Sequence, residues 1–122
     1  MKVGRSSYRS TDGKRGYVIT TSKMYTQGKR EKYWFAYRTN PFDELSDCEE
    51  KYVVYGCKDE NTMVVLPVPV IEEQLDRVNV SYDEDENISH WHMVFFRDIS
   101  GKMTWMLSRP NIEEIEINSF LV

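Results

Sequence analysis

The 122-residue sequence predicts an α+β domain: a mainly antiparallel sheet of about six strands with one main helix at 70–79 and a short C-terminal helix. Three observations carry that expectation. β-branched and aromatic segments recur in pairs separated by short turn signals, as hairpins require. Only the stretch at 70–79 places apolar residues at helical spacing. The order ββ-ββ-α-ββ, hairpins with few helices, points to a mainly antiparallel sheet covered on one face by the helix. A hydrophobic content of 40%, with three Trp, eight Tyr and five Phe, suffices for one core, and residues 1–122 read as a single domain.

Taken in order, residues 1–8 are polar and expected to be mobile. Asp12-Gly13 is the strongest two-residue hairpin signal, and the β-branched run at 17–22 after it reads as a strand. Gly28 marks the next turn. The segment 32–38, KYWFAYR, reads as an aromatic strand ended by Asn40-Pro41, since proline lacks an N–H and pushes its predecessor out of helical geometry. The acidic run at 43–50 reads as a connection with one helical turn. Strands at 52–57 and 62–66 flank a polar turn at 58–61, and their near-continuous apolar runs suit strands buried on both faces.

Pro67 and Pro69 lead into the helix at 70–79. Val70, Ile71, Leu75 and Val78 occupy one side of it and Glu72, Glu73, Asp76 and Arg77 the other, with Leu75 expected on the buried face. The acidic run at 83–86 reads as a solvated loop, because it lacks the glycine and the spaced Glu of a calcium loop. A strand at 88–97, a turn at Asp98-Ile-Ser-Gly101 and a return strand at 102–107 follow. Pro110 is read as opening the C-terminal helix; a strand through Ile115 and Ile117 is the alternative.

Charge is divided by position. Of the 16 basic and 20 acidic residues, nine basic and only two acidic (Asp12, Glu31) lie in residues 1–32. Arg5, Arg9, Lys14, Arg15, Lys23, Lys29 and Arg30 sit in or near two turns whose tips can meet at one end of a sheet, with Tyr25 and Tyr33 beside them. Cations can neutralise phosphates and aromatic rings can stack on bases, so this set is the candidate nucleic-acid interface. In the aromatic strand Trp34 and Ala36 face one side, and Tyr33, Phe35 and Tyr37 the other. The Tyr33 side is a stacking platform if it meets solvent and core if the strand is central.

His90 and His92 share one face of their strand and are the candidates for a metal or proton-transfer site. Cys48 and Cys57 match no usual zinc-ligand spacing and are too few for a disulfide framework. No phosphate-binding glycine loop or nucleophile elbow is present, so no cofactor and no catalytic residue is assigned. No apolar run approaches the ~20 residues of a membrane span, and there is no signal-peptide core. A cytoplasmic protein without a membrane partner is expected, and the polar opening MKVGRSSYRS is compatible with a domain excised from a longer protein.

From Tyr33 to about Val78 the chain resembles the core of restriction-endonuclease-like domains, the PD-(D/E)XK group. The likeness lies in YWFAYR, then YVVYGC, then MVVLPVPVIEEQL. In that family the aromatic strand carries an acid or Gln, one residue, then Lys; here Ala36-Tyr37-Arg38 stand in those places. The acid is absent, Arg does not replace Lys as a catalytic group, and the context of Asp12 marks a turn. The resemblance therefore implies a version retained for binding. The function expected is a non-catalytic domain that binds nucleic acid through its basic N-terminal region. The alternatives are a protein-interaction or accessory domain of a larger enzyme or defence system, using acidic surface, and a metal-dependent nuclease or phosphoesterase around His90 and His92.

Overall fold

A computed structural model describes residues 1–57 and 62–122. In chain order its strands are β1 (Ser7–Arg9), β2 (Arg15–Thr21), β3 (Tyr25–Gln27), β4 (Arg30–Tyr37), β5 (Glu50–Gly56), β6 (Met63–Pro67), β7 (Val80–Tyr82), β8 (Ile88–Arg97), β9 (Met103–Leu107) and β10 (Glu113–Glu116). They form two sheets. The fold is mainly β, which corrects the α+β expectation of one six-stranded sheet under a main helix. The polar turn expected at 58–61 lies outside the described residues.

Turn chemistry sets the hairpins. Gly13, Gly28 and Gly101 all have positive φ, where a side chain is strained, and they turn β1 into β2, β3 into β4 and β8 into β9. The smaller sheet has the order β1-β2-β5-β6, with β2 and β5 parallel and Val18 opposite Val53. The larger has the order β10-β9-β8-β4-β3, built on the long β8. β4 lies along one side of β8; β9 and β7 share the other.

Period-two alternation then builds the core between the sheets. β5 contributes Val53 and Tyr55, β4 Tyr33, Phe35 and Tyr37, and β8 Met93 and Phe95. Tyr55 meets Phe35 at 4.8 Å and Phe95 at 5.0 Å between ring centroids, which joins the sheets directly. A second cluster of Val18, Leu45 and Cys48 lies under the 3₁₀ helix Asn40–Leu45. Both cysteines, Cys48 and Cys57, are buried.

The main helix is the largest departure. The α-helix α1 is confined to Val68–Glu72 and is followed by a 3₁₀ turn at Leu75–Arg77. Val68, Val70 and Ile71 are poor helix formers, and Gln74 (φ −111°, ψ 2°) leaves helical geometry. Ile71 is fully buried while Leu75 is only half-buried, so Ile71 is the anchor assigned to Leu75 from sequence. The C-terminal helix is replaced by β10, which turns Ile115 toward the core beside Trp105, and by a 3₁₀ turn at Asn118–Phe120.

The runs at 52–57 and 62–66 are buried on one face rather than two, for Val54, Val65 and Met63 point outward. Residues 1–8, expected to be mobile, carry the bridge Lys2–Tyr8 and the hydrogen bonds Val3 N–H to Ser7 O and Ser7 Oγ–H to Pro41 O. No helix among the described residues is long and apolar enough to cross a membrane.

Candidate nucleic-acid interface

Strand alternation decides which rings of the aromatic segment meet solvent. Because β4 lies between β8 and the short β3, its inward residues go to the core: Tyr33 is 1% exposed. Tyr33 cannot stack on a base, which corrects its place in the candidate interface. Its hydroxyl donates to Glu31 at 2.7 Å, and burial, with that hydrogen bond, raises its pKa.

The opposite face carries Lys32, Trp34 and Ala36, with Arg38 just past the strand end. Trp34 is 38% exposed, and Tyr25, opposite Lys32 in the register, is 51% exposed. The two rings border one shallow depression with Lys32 between them. β8 continues the face through His92, opposite Ala36, and His90.

The histidines are tied to this platform. The Trp34 Nε1–H donates to His92 Nδ1 at 3.1 Å, and His92 Nε2 lies 2.6 Å from Ser81 Oγ. An Nδ1 that accepts requires the neutral tautomer protonated on Nε2, which then donates to Ser81. His90 pairs with Ser89 Oγ at 3.0 Å, and its ring lies 5.0 Å from that of His92. Burial first, then the proximity of Arg38 and His92, lower the His90 pKa. Among the described residues no group of three His, Cys, Asp or Glu is placed to hold a metal ion. The two histidines therefore border Trp34 and Arg38, not a carboxylate cluster.

The seven basic candidates divide. Arg9 is held by both oxygens of Asp47 (2.8 and 2.9 Å) and by the Glu44 carbonyl. Arg15 pairs with Glu50 at 3.1 Å. Arg30 pairs with Glu114 at 2.6 Å and stacks over Phe96, 3.9 Å from its centroid. Arg5, Lys14, Lys23 and Lys29 are exposed and make no ion pair among the described residues. Half-buried Lys32 and exposed Arg38 make none there either. The two basic turns belong to different sheets, Lys14 to the smaller and Lys29 to the larger, so the charged run is not one patch on one sheet.

Arg5, Lys14, Lys23, Lys29 and Tyr25 thus keep available side chains. Arg9, Arg15 and Arg30 are engaged within the fold, and Tyr33 is buried. Sequence reasoning passed over Lys32 and Arg38 as ligands, although Lys32-x-Trp34-x-Ala36-x-Arg38 places all four on one strand face. Of the positions aligned with the nuclease motif, Ala36 is on this face, Tyr37 is buried and Arg38 is exposed; the segments carrying that likeness occupy β4 in one sheet and β5 and β6 in the other. No family model, curated protein or solved structure matches this chain.

Proposed function

We propose that the protein is a non-catalytic binding domain for single-stranded nucleic acid, and that the outward face of β3, β4 and β8 is its interface. The observation that supports this most is the exposure of Trp34 and Tyr25 on either side of Lys32, which makes no ion pair among the described residues. Stacking on such rings is worth about 1–3 kcal/mol per base and needs unpaired, splayed bases, which favours single strands. Lys32, Arg38, Lys23 and Lys29 supply the phosphate contacts.

The test is fluorescence anisotropy with labelled single- and double-stranded DNA and RNA. Single strands bind in preference to duplex, and Trp34→Ala weakens binding by about 1–3 kcal/mol without changing the fold by circular dichroism. Absence of binding at low salt and micromolar protein, or a Trp34→Ala variant that binds unchanged, refutes the reading.

One observation favours a protein partner instead. The outer face of the smaller sheet carries the stacked pair Tyr17–Tyr52 (5.5 Å) beside exposed Ile19 and Met63. A contiguous apolar sheet face of this kind is what docking proteins use. Loss of partner capture in Tyr17→Ser with nucleic-acid binding intact supports that second reading.

A further inference from the structure

Beside the stacking face, β4 runs on past β3 and its open edge borders a cleft of about 630 Å³. That volume is in the range that encloses a small ligand. Three features of its wall bear on what fits there. The floor is apolar and partly aromatic, made by Val18, Tyr37 and Phe42, the two rings 6.1 Å apart. Arg5 and Arg38 stand on it, both exposed and free of ion pairs among the described residues. The 3₁₀ helix supplies a third wall with Asn40, Asp43 and Glu44, which are hydrogen-bond acceptors.

The strand edge adds a backbone donor. Trp34 N–H points away from β8 to Ser22 Oγ at 3.0 Å. By period two, the Ala36 N–H points the same way, and Ala36 lines the cleft. Ala36 and Arg38, on the same side of the strand as Lys32 and Trp34, also line the cleft, so cleft and stacking face adjoin.

A ligand complementary to this wall has an anionic group for two guanidiniums, a flat apolar body for the floor, and N–H donors for the carboxylates. A nucleotide has all three. We infer that the cleft takes the phosphorylated terminal nucleotide of a strand whose next bases lie on Trp34 and Tyr25. This rests on the proposed binding of single strands, and the experiment separates the two.

Anisotropy compares one single-stranded sequence as a circle and as linear forms with 5′-phosphate, with 3′-phosphate and with neither. One phosphorylated linear form binds at least about tenfold tighter than the circle, as expected for a charge-assisted guanidinium–phosphate contact. Arg5→Gln lowers that form to the affinity of the circle and leaves the circle unchanged. Equal affinity of all forms, or an Arg5→Gln effect equal on circle and line, overturns the terminal site while the stacking face stands.

Calorimetry with AMP, adenosine and inorganic phosphate tests the cleft without the face. AMP binds, survives Trp34→Ala and is lost in Arg5→Gln. AMP binding without any strand binding refutes the face and keeps the cleft's nucleotide chemistry. Phosphate binding as tightly as AMP overturns nucleotide recognition.

Discussion

Trp34 is where the residue-scale argument is sharpest, because its indole N–H is committed to a titratable acceptor, His92 Nδ1. Its neighbour His90 has a lowered pKa, from burial first and then from Arg38 and His92. A lowered folded-state pKa means the folded protein resists protonation. Stability is therefore unaffected well above the ordinary imidazole range and falls as pH drops below it. His90→Gln should flatten that limb of the stability-versus-pH curve, measured by urea unfolding at a series of pH values. A polyanion on this face favours the charged imidazole, so strand binding should tighten as pH falls through and below the ordinary imidazole range. Tyr55 gives a prediction of the opposite kind. Its hydroxyl is fully buried and makes no hydrogen bond among the described residues. Tyr55→Phe should keep the ring contacts with Phe35 and Phe95 while relieving a desolvated group, so its unfolding free energy should equal or exceed the parent's, by up to about 1–3 kcal/mol.

At the scale of elements, α1 and the 3₁₀ helix Asn40–Leu45 matter because they pin the sheets. Ile71 is the buried contact of α1. Ile71→Ala should cost about 2–5 kcal/mol through lower transfer energy and a cavity, and Leu75→Ala, at a half-buried position, should cost less. Chemical denaturation of the two variants checks the order. The 3₁₀ helix depends on Gly16: a Cβ there would lie 2.9 Å from Leu45 Cδ1 and 3.1 Å from its Cβ. Gly16→Ala should displace Leu45, loosen this wall of the cleft and destabilise by about 1–3 kcal/mol. A thermal scan checks this, and should show little change for Gly28→Asn, whose positive φ suits Asn and whose surroundings are open.

For the molecule as a whole, the deciding quantity is where unpaired cations lie in space. Lys14 is on the smaller sheet's turn, while Lys32 and Arg38 flank the exposed Trp34 of the larger sheet. Charge reversal of Lys32 should therefore weaken strand binding far more than reversal of Lys14. The log–log salt slope should fall by about 0.7 for each phosphate that is no longer neutralised. Anisotropy titrations from about 50 to 200 mM salt give both. A Lys14→Glu effect as large as that of Lys32→Glu would return the interface to the N-terminal turns.

Local chemistry determined the parts that can be read from sequence. Asp12-Gly13, Gly28 and Gly101 marked turns because positive φ is a property of single residues, and the runs at 17–22, 32–38 and 88–97 marked strands because β-branched and aromatic side chains suit the pleat. Alternation placed His90 with His92 and Trp34 with Ala36. The short strands β1, β3 and β7 were not legible, since three residues carry too little periodicity and are held by their neighbours' hydrogen bonds, and β10 was legible only as the alternative to a C-terminal helix. The helix over 70–79 failed for a related reason: its spacing was helical, yet packing needed only Ile71 and drew Val80 into β7. Which face of β4 meets water, which arginines meet carboxylates across 35 to 84 residues of chain, and whether the basic turns share a sheet are facts of long-range pairing. Two sheets closing on Tyr55, Phe35 and Phe95 settled them, burying Tyr33 and leaving Trp34 outside, because a strand's two faces are equivalent until a second layer covers one of them.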